Sequence, residues 1–170
     1  MNNTKKNFTV VDPFSPETYI IKSLEDEIRA DQNCKELLKD FLLNLLKDKS
    51  ITPLEAGSIA SGADYYLRDF MIDNRQTNIF EISPELVQSF AGNWYIINTL
   101  EPNMEELSSI LTGISYFYSY CAKKKIILMT MAEKVIKGCN QHDYYRQRIE
   151  NFHNLSGDDY FAWNNACPLD

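Results

Sequence analysis

The sequence predicts an all-α fold, a single compact bundle of six or seven helices, on three observations. Apolar residues recur at steps of three and four along most of the 170-residue chain. Ser, Thr or Asn followed within three residues by Pro or Glu marks one helix start after another, because such side chains satisfy the unpaired backbone donors of a first turn. A hydrophobic content of 44% with 12% aromatic residues gives the chain enough apolar surface to bury a core and sets it apart from disordered sequences.

The elements follow in order. Ser15-Pro16-Glu17 places a cap, a proline whose missing N–H costs nothing at the first helical position, and an acid at the positive end of the dipole, so a helix is expected from there to about Asp31. Asn33 is expected to cap the next, with Leu37, Leu38, Phe41, Leu42, Leu45 and Leu46 on its core face. Thr52-Pro53-Leu54-Glu55 is a full capping box opening a helix toward Asn74, and its small residues Ala56, Gly57, Ala60 and Gly62 predict close approach of another backbone. Ser83-Pro84-Glu85 starts a helix to about Asn98, after a short extended turn over Ile79–Ile82. Asn103 caps a helix with Leu107, Ile110, Ile114, Phe117 and Cys121 on one face. Thr130 to Glu133 reads as a further capping box, with the helix running past Gly138 to about His153. Ser156 or Asp158 caps a last short turn bearing Tyr160, Phe161 and Trp163.

Residues 1–170 read as one domain, with 1–14 a loose N-terminal segment and 156–170 a docked tail. The net charge of −7 repels phosphate backbones and anionic headgroups at long range. The longest apolar runs, FLLNLL and IILM, fall far short of the roughly 20 residues of a membrane span. The N-terminus carries no apolar secretion signal, and Cys34, Cys121, Cys139 and Cys167 lie in no disulfide-framework spacing, so the expected location is cytoplasmic.

YYLRDFMIDN (Tyr65–Asn74), NIFEISPELVQSF (Asn78–Phe90) and LSSILTGISYFYSYCAKKKII (Leu107–Ile127) together resemble the helical core-binding, SAM-like domain of tyrosine recombinases and phage integrases. The resemblance implies an all-helical DNA-associated module, with Lys123, Lys124 and Lys125 as its nucleic-acid contacts. The chain departs from that family in having no catalytic domain: His142 is followed at the wrong spacing by Arg146, and residues 65–126 carry five basic against seven acidic side chains. No catalytic residue is carried over.

Among the residues themselves, Tyr145, Arg146 and Arg148 of HDYYRQR, Trp163 of the tail, and Tyr116 and Tyr120 beside the lysines are the candidates for a partner surface, since Tyr, Trp and Arg dominate binding hot spots. Cys139 and His142 stand in Cys-x-x-His spacing, a weak metal candidate with no second pair beside it. Asp64, Asp69 and Asp73 with Arg68 form a carboxylate group on one helix. Phosphate loops, nucleophile elbows and His-Glu-x-x-His are absent from the sequence. The sequence therefore predicts a non-enzymatic adaptor or regulator without cofactor or membrane, acting on a protein partner or on a second copy. A DNA accessory is the alternative, and a metal- or small-ligand-binding protein a third.

Overall fold

A computed structural model describes residues 11–169, and these are helical with no strand among them. A 3-10 turn, Pro16–Tyr19, precedes α1 (Leu24–Leu45). α2 (Pro53–Asp64) runs directly into a π-helical segment, Tyr65–Asn74. α3 (Pro84–Ser89) passes through a second π segment, Phe90–Trp94, into α4 (Tyr95–Asn98). α5 (Met104–Lys123), α6 (Met129–Cys139), α7 (His142–His153) and α8 (Asp159–Asn165) complete the chain.

α5 is the axis of the bundle. Its stripe Leu107, Leu111, Ile114, Phe117, Tyr118 and Cys121 is buried, and α2 and α6 pack on it from two sides. The approach of α2 is set by glycine on both partners. A Cβ at Gly113 would stand 2.4 Å from the Ile59 carbonyl oxygen and 2.7 Å from the Ala63 nitrogen, and one at Gly62 would stand 2.9 Å from Ile110 Cα. The small residues of α2 thus mark a backbone contact at Gly62, whereas Gly57 faces open space.

The caps at Thr52, Ser83 and Asn103 form as the sequence indicates. Thr52 Oγ1 accepts from the Glu55 amide at 3.2 Å while Glu55 Oε2 accepts from the Thr52 amide at 2.8 Å. Ser83 Oγ and Asn103 Oδ1 accept from the Leu86 and Glu106 amides.

Four helix boundaries differ from expectation. Ser15 makes no side-chain cap, and its helix stops after one 3-10 turn; Ser23 takes over, accepting from the Asp26 amide while Asp26 accepts from the Lys22 amide. From there one helix runs through Asn33, because Ala30, Cys34, Leu37, Leu38, Phe41 and Leu45 keep an unbroken apolar stripe. Thr130 does not cap: α6 begins one residue before it with Leu128 as N-cap. The long C-terminal helix is broken at Asn140–Gln141 into α6 and α7, and Tyr145 bridges the break by donating its hydroxyl to the Gly138 carbonyl at 2.7 Å. Residues 1–10 lie outside the described residues, but Pro13 already accepts from the Tyr19 hydroxyl and Phe14 packs on the core.

The two π segments face each other through an aromatic cluster. Phe90 sits 5.1 Å from Tyr66 and 5.3 Å from Phe70, and Trp94 sits 5.5 Å from Tyr65, centroid to centroid. Each π turn adds a residue to the backbone spiral and re-aims these rings.

Candidate functional site

Most of the aromatic and cationic side chains that the sequence offers to a partner are spent inside the fold. Tyr145 is fully buried, and Tyr120 is buried with its hydroxyl donated to Asp40. Arg148 is only 5% exposed: its Nε donates to the Gly92 carbonyl at 2.8 Å, its Nη1 to the Trp163 carbonyl at 2.7 Å, and the guanidinium lies over the Trp163 indole at 4.0 Å. Trp163 is buried by the same contact. These four residues are therefore corrected from surface contacts to core anchors; helical spacing shows which residues share a face but not whether a later segment covers it. Arg146 stays exposed, paired with Asp143 at 2.8 Å, a geometry of little energetic weight at a surface. Tyr116 also stays exposed, at 43%.

Cys139 and His142 fall on either side of the helix break. Burial pushes the Cys139 thiol up to about 11, while His142 Nδ1 lies 3.4 Å from Ser108 Oγ. Among the described residues no group of three or more His, Cys, Asp or Glu side chains is placed to hold a metal ion. Arg68 is engaged by Asp31 at 2.7 Å and Asp64 at 3.0 Å. The Asp69 carboxyl is held above its usual range by burial and then by the charge of Asp64, and Asp73 is exposed. All four cysteines are free and buried.

The end of α5 is different. Lys124 closes the helix and Lys125 follows with φ 60°, a left-handed conformation. The Ile126 amide donates to the Cys121 carbonyl and the Lys125 amide to the Ala122 carbonyl, each at 3.0 Å. This is the paired bond pattern of a Schellman motif, whose left-handed position ordinarily holds glycine. A lysine there costs about 1 kcal/mol or more in backbone strain. The turn throws the following residues outward, so Leu128 is 68% and Met129 52% exposed. Together with Pro16, Phe80, Ala122, Ile126, Ile127 and Met131 they line a groove of about 570 Å³ whose polar rim is Lys125. Lys123 is exposed on another side, where it shares a pocket with Asn44, Asp48 and Tyr116, and Lys124 lies 3.5 Å from Asp40 and stacks over Phe14 and Tyr120.

The lysines were legible in the sequence, but the groove was not. Its signal was IILM directly after the lysine run: apolar residues between two helices have no helical partner face of their own and must be covered by another element or left open. Comparison with family models, with curated proteins and with solved structures returns no match. Among the described residues no helix is long and apolar enough to cross a membrane.

Proposed function

We propose that the chain is a non-enzymatic protein-binding module, and that its docking surface is the lysine-rimmed apolar groove between α5 and α6. The observation that carries this reading is Lys125, a charged side chain held in left-handed backbone at the edge of exposed Leu128 and Met129. Strain at a surface position persists where a function uses the side chain it displays. The groove takes an amphipathic helix: apolar residues of the partner enter between Phe80 and Met131, and an acidic residue flanking them meets Lys125. Charge complementarity selects such a partner from a chain whose own net charge is −7.

A displayed library of random helical peptides tests it. Selection on the purified chain is expected to enrich sequences with apolar residues at i, i+4 and i+7 between Asp or Glu, and Leu128→Asp is expected to weaken the enriched peptides by tenfold or more. Peptides that bind Leu128→Asp unchanged would place the surface elsewhere.

The DNA-accessory reading is kept for the same three lysines, motivated by the recombinase-like pattern of residues 65–127. Its support is narrower, since Lys124 is already engaged by Asp40. Salt-titrated binding of duplex DNA decides it: the reading requires affinity that falls with salt and is lost when Lys123, Lys124 and Lys125 become glutamate.

A further inference from the structure

The C-terminal tail is held mainly by its main chain. Arg148 Nη1 donates to the Trp163 carbonyl, Asn93 Nδ2 to the Cys167 carbonyl at 2.6 Å, Ser89 Oγ to the Pro168 carbonyl at 3.0 Å, and Arg75 Nη1 to the Leu169 carbonyl. Three bonds to tail side chains join them: Asn93 Nδ2 donates to Asn164 Oδ1 at 2.9 Å, the Trp163 indole N–H donates to the Arg148 carbonyl at 3.0 Å, and the Cys167 thiol donates to the Gln88 carbonyl at 3.4 Å. A surface that grips carbonyls, with an aromatic ring as anchor, accepts peptides of more than one sequence.

The match between tail and surface is incomplete. Of the four buried side-chain polar atoms without a hydrogen-bond partner among the described residues, three belong to the residues that grip the tail: Arg75 Nε, Asn93 Oδ1 and Arg148 Nη2. The deficit centres on Arg148, which is buried and pairs with no carboxylate among the described residues. An unpaired buried cation is costly, and a carboxylate acceptor would relieve it through a charge-assisted bond. The tail presents Cys167 there instead. A Cβ built on Gly92 would lie 3.0 Å from Cys167 Sγ and 3.8 Å from Arg148 Cγ, so thiol and guanidinium stem converge on one glycine.

We propose that the surface beneath residues 163–169 is a second peptide-binding site, specific for a segment of another protein that carries an acidic residue where the tail carries Cys167. The chain's own tail is its resting, displaceable occupant. The link to the tail is open to movement: residues 156–158 are exposed and Gly157 has a left-handed φ of 55° with no atom near its Cβ position. The site is separate from the α5–α6 groove, and its failure would leave that reading standing.

The experiment uses the intact chain carrying Gly92→Cys, which brings a second thiol within disulfide reach of Cys167. Fluorescein-labelled synthetic peptides of residues 159–169 with Cys167→Asp or Cys167→Asn are titrated against the reduced and the oxidised protein. The expected result is binding of the Asp peptide to reduced protein, about tenfold weaker binding of the Asn peptide, and loss of binding of both when the disulfide locks the tail. A second measurement stands apart from that variant: within the intact chain, Cys167→Asp should raise the thermal midpoint relative to Cys167→Asn. Equal affinity of the two peptides, binding indifferent to oxidation, absence of peptide binding to reduced protein, or an Asp chain no more stable than the Asn chain would each overturn the proposal.

Discussion

Arg148 and Trp163 hold each other's main chain. The Arg148 guanidinium donates to the Trp163 carbonyl at 2.7 Å, the Trp163 indole N–H returns a bond to the Arg148 carbonyl at 3.0 Å, and the two planar groups stack at 4.0 Å. The exchange joins α7 to α8 and closes the chain's C-terminal end over the second π segment.

Arg148→Met should therefore separate local from global stability. It removes a buried cation without a carboxylate partner, which is favourable, and strands the Gly92 and Trp163 carbonyls, which is not. The expected change in unfolding free energy is under about 2 kcal/mol, while amide protection across α8 collapses. Arg148→Lys should not restore that protection, because an ammonium supplies neither the fork nor the stacking plane. Hydrogen exchange read by mass spectrometry checks both.

Two glycines of the α2–α5 region should respond in opposite directions. Gly113→Ala drives a methyl into the Ile59 carbonyl and must force the helices apart, at a cost of about 3 kcal/mol, the upper end of overpacking. Gly57→Ala meets open space on an exposed helical turn and should gain about 0.5–1 kcal/mol from helix propensity alone. Urea denaturation of the two variants measures the contrast.

Stability should fall steeply on the alkaline side. Burial raises the phenols of Tyr19, Tyr66, Tyr118 and Tyr145 far above their ordinary value of 10. A group whose folded-state pKa is raised holds its full contribution below the unfolded value and loses it as pH climbs above that value. Unfolding followed by circular dichroism should begin above about pH 10, with the buried phenols ionising together with loss of helix rather than before it. Free titration of all ten tyrosines in folded protein would contradict the burial.

The acid side has a local reporter. The Tyr120 hydroxyl, followed by the charge of Lys124, holds the Asp40 carboxyl below its usual range. A depressed carboxyl contributes above its unfolded value and loses that contribution as pH drops through the folded one. Tyr120→Phe should thus differ from the parent at neutral pH, and the part of that difference due to Asp40 should vanish as pH falls through the depressed folded-state value. A pH series of denaturation midpoints reads it.

How far the sequence speaks depends on whether a signal is local. The caps at Thr52, Ser83 and Asn103 and the α5 stripe were legible because donor, acceptor and apolar step lie within one or two turns. The joining of two expected helices into α1 was not, since Asn33 looks like a cap until the stripe through Cys34 and Leu37 is seen to bury on α2 and its π extension. Tyr145, Arg148 and Trp163 read as surface groups for a related reason: each is covered by a segment outside its own helix, Tyr145 bonding back to Gly138, Arg148 reaching Gly92 and Trp163 packing on Arg148 and Phe152. The lysine run was plain, but its left-handed turn depends on bonds back to Cys121 and Ala122, and no composition rule announces it.

The measurement that bears most directly on the proposed role is made at Lys125. Lys125→Gly relieves the left-handed strain and should raise unfolding stability by about 1 kcal/mol. At the same time it should weaken photo-crosslinking between a reactive residue placed at Met129 and a discrete protein partner in cells of the source organism. Stability gained together with crosslinking lost is the predicted result. Gain of stability with crosslinking unchanged, or no adduct at Met129 even in the parent chain, would contradict a docking role for the groove.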